Sequence, residues 1–152
     1  MGNICRSPAA EGVFREYVSR SGYQDMFHIA SAGTLHYHAG SLPDERMRRA
    51  AAQRGYRLES HARQVKAADL SEFDLVLAMD NTNLDHLHEL VGKAHAHVQL
   101  FGSFLEQSGG GAPSIPDPYH GSMDGFELVL DMIESACPSL LQYCLAIRNK
   151  SR

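Results

Sequence analysis

The sequence predicts an α/β fold in which helices cover both faces of a parallel sheet. Segments with the apolar spacing of helices alternate along the chain with short strand-like segments, which is the order expected of such a fold. The strand-like segment 74–79 is almost continuously apolar, as is typical of parallel strands that are buried on both faces. Asp80 follows it directly, and open α/β sheets bind their ligands at the carboxyl ends of their strands.

Helices and strands are predicted in order from apolar spacing and from the glycines that end a helix. In the first helix, Ala10, Val13, Phe14 and Tyr17 recur at the spacing of one helix face. Pro138 is expected to kink or interrupt the last helix. The helices are expected over residues 8–21, 43–54, 69–73, 81–91 and 123–148. The strands are expected over residues 27–32, 74–79 and 98–101.

Composition argues for one domain and against several classes of protein. The chain has 152 residues, of which 43% are apolar, and we predict a single domain over residues 1–152. A net charge of −4 without a basic block argues against nucleic-acid binding. No apolar run reaches the roughly 18 residues of a membrane span. The three cysteines are Cys5, Cys137 and Cys144. Because their number is odd and no Cys-x-x-Cys motif occurs, a secreted disulfide framework and a zinc site are disfavoured, and a reducing, cytoplasmic compartment is expected.

The first residues of the chain have the composition of an anion-binding loop. The run Gly2-Asn3-Ile4-Cys5-Arg6-Ser7 leads into the first helix. The free N–H groups and positive dipole at a helix start attract anions, and small residues let the amides converge. Ser7 suits the N-cap and Pro8 the first helical position. Arg6 can bond two phosphate oxygens at once, so residues 2–7 are predicted to bind phosphate, with an ordinary polar helix start as the alternative.

Two further groups of polar residues are candidates for a catalytic or metal-binding role. Asp117 lies between Pro116 and Pro118, which hold the chain extended and suit it to present one carboxyl group over a pocket. Histidines form two His-x-His pairs, but this spacing puts both side chains on one face only in a strand. The first pair is predicted on a helix and the second in a loop, so no metal site is predicted from His86, His88, His95 and His97.

Three stretches together resemble the low-molecular-weight protein tyrosine phosphatases: residues 2–8, residues 10–14 and Asp117-Pro118-Tyr119. The phosphate loop of that family has the form Cys-x5-Arg-Ser. Aligned on Arg6 and Ser7, it places the nucleophilic cysteine immediately before Met1, and Cys5 matches the second loop cysteine instead. We therefore expect the sequence to be truncated at its N-terminus, without the first strand and the nucleophile.

The resemblance implies a three-layer, doubly wound, four-stranded parallel sheet with helices on both faces. The absent first strand would lie in the middle of the sheet, between the strands near Ile29 and Val76. Without it, two sheet edges would be unpaired within the core, and each orphaned backbone group would cost about 1–3 kcal/mol. We therefore expect one incomplete domain that folds poorly and has little or no activity as written.

The resemblance also implies the reaction, which is hydrolysis of phosphotyrosine through a phosphocysteine intermediate. Arg6 and Asp117 would be the catalytic residues, with Asp117 protonating the leaving phenolate and then activating water. No metal or other cofactor is needed, since arginine and backbone dipoles match the charge of the transition state. The phosphate would be bound by Gly2, Asn3, Ile4, Cys5, Arg6 and Ser7.

Four other residues and the partners follow from the same resemblance. Ser31 and Asp80 would support the loop, and Tyr37 and Tyr119 would line the substrate cleft. The alternative for Ser31 is a simple hydroxyl at a strand end, that for Asp80 is the N-cap of the next helix, and that for Tyr37 is a surface tyrosine without a role. Cys5 would form a reversible disulfide with the absent nucleophile or else pack as a buried thiol. The expected partners are phosphotyrosine proteins and small aryl phosphates, bound by a cytoplasmic monomer that contacts neither nucleic acid nor membrane.

Three competing hypotheses remain. A catalytically inactive pseudophosphatase that begins at Met1 would bind phosphate or phosphotyrosine without turnover. An arsenate reductase on the same fold needs further cysteines downstream, and none lies between Cys5 and Cys137. A nucleotide-binding α/β domain would need a G-x-G-x-x-G or P-loop lysine motif, which the sequence lacks.

Overall fold

The computed structural model describes residues 2–92, 97–105 and 111–150. The helices and strands predicted from apolar spacing are found with ends within about two residues, except the strand at 27–32. In chain order the elements are α1 (Arg6–Arg20), α2 (Glu45–Gln53), α3 (Asp69–Glu72), β1 (Leu75–Ala78), α4 (Asn81–Val91), β2 (His97–Leu100) and α5 (Met123–Lys150), with 3₁₀ turns at Gln24–Met26 and Phe101–Phe104.

Two details of the helices differ from the sequence prediction. Helix α1 begins at Arg6, so Ser7 lies inside its first turn and is not the N-cap. The N-cap position falls on Cys5, which makes no side-chain capping hydrogen bond. Of the two outcomes expected at Pro138, interruption does not occur, because helix α5 runs through this residue. Pro138 is exposed while the neighbouring Cys137 is buried, so the ring stays on the solvent side, and burial of the adjacent turns outweighs the one lost backbone hydrogen bond.

The α/β fold class is confirmed by a β-α-β unit near the middle of the chain. Strands β1 and β2 run parallel, with Leu75 opposite His97 and Ala78 opposite Leu100, and α4 connects them. The carboxyl ends of both strands therefore lie at the same edge, and Asp80 follows β1 at that edge.

The segment 27–32, which was predicted as a strand, is not paired into this sheet. Its residues alternate between half-buried and exposed, and a single bridge joins Gly33, just beyond it, to Gln64. A cavity of about 700 Å³ is lined both by this segment and by β1. Within the described residues the two segments do not pair with each other.

The main hydrophobic core lies where α1, α2 and α5 pack together. Val13 of α1, Met47 of α2, and Phe126 and Ile133 of α5 are almost completely buried there. A smaller cluster joins α3, β1 and α4, and consists of Leu70, Ala78 and Leu87. None of the helices in the described ranges has the length and apolar character needed to cross a membrane.

Candidate active site

The loop of residues 2–7 is organised around the side chain of Asn3, which is 4% exposed. Asn3 has a φ of 62°, a left-handed conformation that asparagine tolerates better than most residues. Its amide nitrogen donates to Ser7 Oγ at 2.7 Å and to Ser31 Oγ at 3.0 Å. Its amide oxygen accepts from the backbone N–H of Arg63 at 3.1 Å. One side chain therefore joins the loop, the start of α1 and the two segments beneath it.

Ser31 passes this network on to a buried carboxylate. Its hydroxyl donates to Glu11 Oε1 at 2.8 Å, and Glu11 lies on α1 with only 8% exposure. Arg15 pairs with the other carboxylate oxygen at 3.0 Å, so the charge of Glu11 is compensated. Ser31 is therefore hydrogen-bonded to the loop through Asn3, and its supporting role stays a prediction. Glu11 was not singled out from sequence, since an acidic residue on a helix usually faces solvent.

Arg6 is buried beneath the loop and has one unused hydrogen-bond donor. It is 4% exposed, and its Nη1 donates to Asp80 Oδ2 and to the carbonyl oxygen of Ile115, each at 2.8 Å. Its Nη2 has no hydrogen-bond partner among the described residues. A buried donor without a partner costs free energy, and Arg6 lines the large cavity. The guanidinium is therefore positioned to donate to an oxyanion bound there.

Asp80 contacts both Arg6 and the start of α4. One carboxylate oxygen pairs with Arg6, and the other accepts the backbone N–H of Asn83 at 2.8 Å, which caps α4. Burial works against the charged form of Asp80, but the hydrogen bonds from Asn83 and Arg6 outweigh it and hold the pKa of this carboxyl below its usual value. Asp80 is therefore the counterion that keeps Arg6 in place.

Cys5 is a buried thiol within the loop and is unsuited to act as a nucleophile. Burial raises its pKa to about 12, and the negative charges of Asp44 and Asp117 add to the shift. Because the thiolate is the reactive form, a thiol with this pKa stays protonated and unreactive near neutral pH. The two other cysteines lie on α5, and all three are free thiols.

Asp117 lies on a loop that is attached to the edge of the sheet. Two residues before it, the N–H of Ile115 donates to the carbonyl of Met79 at 2.8 Å, and the carbonyl of Ile115 accepts from Arg6. Asp117 is exposed and lines the same cavity as residues 2–7. Its Oδ1 accepts the N–H of Tyr119 at 3.1 Å. The structure thus brings Arg6 and Asp117 to one cavity although 110 positions separate them in the sequence.

The rim of the cavity carries aromatic rings. Tyr37 is 86% exposed and Tyr119 is 36% exposed, and both line the cavity. His38, which sequence analysis did not single out, also lines it, with its ring 6.1 Å from that of Tyr119. His38 packs on the phosphate loop so closely that a Cβ atom at Gly2 would lie 2.6 Å from the His38 ring. Glycine at that position is therefore required for the observed packing.

The start of α2 also contacts the site, and sequence analysis did not predict these contacts. Asp44 caps this helix and donates its backbone N–H to the carbonyl of Ile4 at 2.7 Å. Arg46 pairs with Asp44 and donates to the carbonyl of Tyr119 at 2.8 Å. The first turn of α2 thus contacts both the phosphate loop and the Asp117 loop. The sequence marked Asp44 only as a first-turn acidic residue.

The described residues contain no group of three or more side chains suited to hold a metal ion. His86 and His88 lie on α4 and His97 begins β2, whereas His95 lies outside the described residues.

Comparison with known proteins places this site in a family. A family model described as low molecular weight phosphotyrosine protein phosphatase matches residues 1–151. A low molecular weight protein-tyrosine-phosphatase of Streptomyces coelicolor is 42% identical over 142 residues, which cover 92% of this chain and 87% of the relative. A protein tyrosine phosphatase of Entamoeba histolytica, solved with Hepes in its active site, matches with a TM-score of 0.89 at 35% identity over 96% of this chain and 93% of that chain.

The name of a second similar solved structure states a different substrate. It is DARP, a Drosophila arginine phosphatase, with a TM-score of 0.86 and 32% identity over 94% of this chain and 92% of that chain. The family model covers nearly the whole chain, and both solved structures share the fold as well as about a third of the residues. The chain therefore belongs to the low molecular weight phosphotyrosine protein phosphatases.

Proposed function

We propose that this protein hydrolyses phosphotyrosine and other aryl phosphate monoesters, with Arg6 and residues 2–7 holding the phosphoryl group and Asp117 transferring the proton. One observation carries the proposal. Arg6 is buried, its Nη2 has no hydrogen-bond partner among the described residues, and the cavity that it lines is also lined by Asp117. A cation with a spare donor and a carboxyl group on one cavity are the two groups that phosphoryl transfer from an aryl ester requires.

The proposal requires a nucleophilic cysteine, and the family motif has it at the position immediately before Met1. Its thiolate would be stabilised by the start of α1 and by Arg6, which lowers a thiol pKa. Cys5 does not serve, because its pKa is raised to about 12. The cavity supports the proposal, since β1, residues 27–33 and residues 2–7 all line it. A strand in that cavity, parallel to β1, would end at the loop.

The proposed reaction has two displacement steps at phosphorus. In the first, the sulfur–phosphorus bond forms, the bond from phosphorus to the phenolic oxygen breaks, and protonated Asp117 gives its proton to the leaving phenolate. In the second, the Asp117 carboxylate takes a proton from water as the water oxygen bonds to phosphorus. The sulfur–phosphorus bond then breaks, which releases phosphate and restores the thiolate.

Aromatic substrates are favoured by the rings at the rim. Tyr37 is highly exposed and Tyr119 is about one-third exposed, so each has a face or edge available for stacking on a phenyl ring. Arg6 and residues 2–7 lie deeper than these rings, and a phosphoserine side chain would be too short to place its phosphate there. We also propose that the protein works as a monomer in the cytoplasm, which size-exclusion chromatography and fractionation of cells would test.

Two proteins test the function. One is the 152-residue chain, and the other, the extended chain, carries about five β-branched residues and then a cysteine directly before Met1. We expect the extended chain to release p-nitrophenol from p-nitrophenyl phosphate and the 152-residue chain to bind inorganic phosphate without turnover. Replacing the added cysteine by serine should abolish turnover and leave phosphate binding intact.

Variants and substrates then separate this proposal from its competitors. Arg6→Lys should lower kcat/KM by about 10²–10³-fold, because the loss of the planar fork removes a transition-state contact. Phosphotyrosine, phosphoserine and phosphoarginine peptides should be compared, since an arginine phosphatase shares the fold. Preference for phosphoarginine would contradict the aryl ester proposal. An extended chain that binds phosphate but never turns over would instead support the inactive phosphate-binding module.

A further inference from the structure

We propose that Arg46 is a positioning residue that holds the Asp117 loop against the phosphate loop, a role that rests on the proposed function of Asp117 as the acid. The guanidinium of Arg46 donates to the carbonyl oxygen of Tyr119 at 2.8 Å. It also lies 5.6 Å from the centre of the Tyr119 ring and 4.7 Å from that of Phe126. Arg46 thereby fixes both the backbone and the ring of the residue two positions after Asp117.

The other end of this connection is the phosphate loop. Arg46 donates to both carboxylate oxygens of Asp44, at 3.1 and 2.9 Å, and this bidentate geometry defines the orientation of the guanidinium. The backbone N–H of Asp44 in turn donates to the carbonyl of Ile4 at 2.7 Å. The Asp44–Arg46 pair therefore spans the distance from the loop that would bind phosphate to the loop that would supply the proton.

The orientation of the Asp117 carboxyl depends directly on Tyr119. Asp117 Oδ1 accepts the backbone N–H of Tyr119 at 3.1 Å, and the N–H of Gly121 donates to Pro118 at 2.9 Å to close the turn. Upstream, Ile115 is held by Arg6 and by the strand edge. Asp117 is thus fixed on one side by Ile115 and on the other by the turn that Arg46 holds.

Electrostatics favour a geometric role over a direct one. Arg46 and Asp44 form a pair without net charge, so they add little to the field that an incoming dianion meets. The contacts of Arg46 go to Asp44, Tyr119 and Phe126 rather than into residues 2–7. Losing the guanidinium should accordingly disturb where the acid lies more than it disturbs how phosphate binds.

Hydrogen exchange tests the positioning without relying on catalysis. Arg46→Met keeps the apolar stem over Phe126 and removes the guanidinium. In the folded extended chain, the amides of Tyr119 and Gly121 should exchange about tenfold faster in this variant, because opening of the turn becomes easier. The matched control is Arg49→Met on the same helix, since the ion pair that Arg49 makes within the described residues is with exposed Glu45. Unchanged exchange at Tyr119 in Arg46→Met would overturn the proposal.

Leaving-group dependence tests the consequence for the acid. A displaced general acid matters most for phenyl phosphate, whose phenolate leaves poorly, and least for p-nitrophenyl phosphate. Arg46→Met should lower kcat/KM by about tenfold more on phenyl phosphate than on p-nitrophenyl phosphate, and Arg46→Lys, which keeps a cation and one donor, should lie between. Equal losses on the two substrates would contradict a role through Asp117.

A double variant distinguishes this proposal from the proposed function. In an Asp117→Asn background, Arg46→Met should cost less than about twofold further, because the acid that it positions is gone. Full additivity of the two losses would overturn the positioning role. If Asp117→Asn lowers kcat/KM equally on phenyl phosphate and on p-nitrophenyl phosphate, then the assignment of Asp117 as the acid fails. Faster exchange of the Tyr119 amide in Arg46→Met would still support the physical connection between Arg46 and the Asp117 loop.

Discussion

The helical side and the strand side of this protein are held together in different ways. On the helical side, Met47 of α2 and Phe126 and Val129 of α5 are fully buried. On the strand side, Leu75 and Leu77 of β1 are only half-buried, and a cavity of about 700 Å³ lies beside them. The helical side has the close packing typical of a protein interior, and the strand side does not.

Polar contacts take the place of apolar packing on the strand side. Arg6 pairs with Asp80 at 2.8 Å and Arg63 with Asp69 at 2.9 Å, and Asn3 joins the loop to the segments below it. The residues proposed for catalysis also lie on this side. In the 152-residue chain the site therefore lies in the less tightly packed region, and its geometry there depends on hydrogen bonds and charges that are sensitive to change.

The largest effect is expected from filling the cavity. In the extended chain with serine in place of its added cysteine, the new strand should pair with β1 and with residues 28–32. Each hydrogen bond gained contributes about 0.5–1.5 kcal/mol, so the free energy of unfolding should rise by several kcal/mol. Chemical denaturation with urea measures it. A matched segment that contains two prolines cannot pair and should give no gain; equal stability of the two extended chains would show that no strand forms.

Truncations of apolar side chains should separate the two sides by several kcal/mol. Phe126→Ala removes a fully buried ring and should cost about 3–5 kcal/mol. Leu77→Ala removes a half-buried side chain and should cost only about 1 kcal/mol in the 152-residue chain, because little packing is lost. The same change in the extended chain should cost about 2–5 kcal/mol. Equal costs for Leu77→Ala in both chains would mean that the strand side was already fully packed.

The same contrast explains which parts of the fold the sequence predicts. Helices α1, α2 and α5 follow from spacing because each presents one apolar face to a shared core. The segment 27–32 has the alternation of a strand, yet the alternation of side chains does not supply a neighbour to bond to its backbone. Whether this segment pairs with a neighbouring strand therefore cannot be predicted from its own sequence. Pro138 remains within a helix because burial of the adjacent turns overrides its local preference.

For the site, the sequence predicts residues whose role is local and misses those whose role depends on distant contacts. Asp80 follows a strand and precedes a helix, so its position is readable. Arg6 and Asp117 were identified through the family resemblance, and their shared cavity is a matter of topology. His38 and Arg46 were missed because their partners, Gly2 and Tyr119, are far away in sequence, and no spacing rule connects them.

A smaller effect is expected from the contact that joins α2 to α5 on the helical side. Arg54 pairs with three carboxylates of α5, those of Glu127, Asp131 and Glu134. Arg54→Met would leave these like charges close together, so unfolding free energy should fall by about 1–2 kcal/mol. Arg49→Met, which breaks one exposed pair, should change it by less than about 0.5 kcal/mol. Thermal unfolding in low and high salt measures both, and a salt-independent loss in Arg54→Met would contradict the electrostatic explanation.

The smallest expected effect is the pH dependence that Asp69 contributes on the strand side. Burial opposes the charged form of Asp69, but its hydrogen bonds from Arg63 and from the N–H of Lys66 outweigh this and lower its pKa. A carboxyl whose pKa is lower in the folded state stabilises the fold above its unfolded pKa of about 3.9. That stability is lost as the pH falls through the folded pKa.

Asp69→Asn keeps the shape of the side chain and removes the charge, so it should flatten the fall in unfolding free energy below about pH 4. Because Arg63 is well exposed, solvent screening should hold the difference to less than about 1 kcal/mol. Hydrogen exchange between pH 5 and pH 3 should show, after correction for intrinsic rates, that the amides of Gly33 and Val65 open before those of α5. Loss of protection in α5 at the same pH would mean that acid unfolds both sides together, and the two sides would then not differ in how they are held.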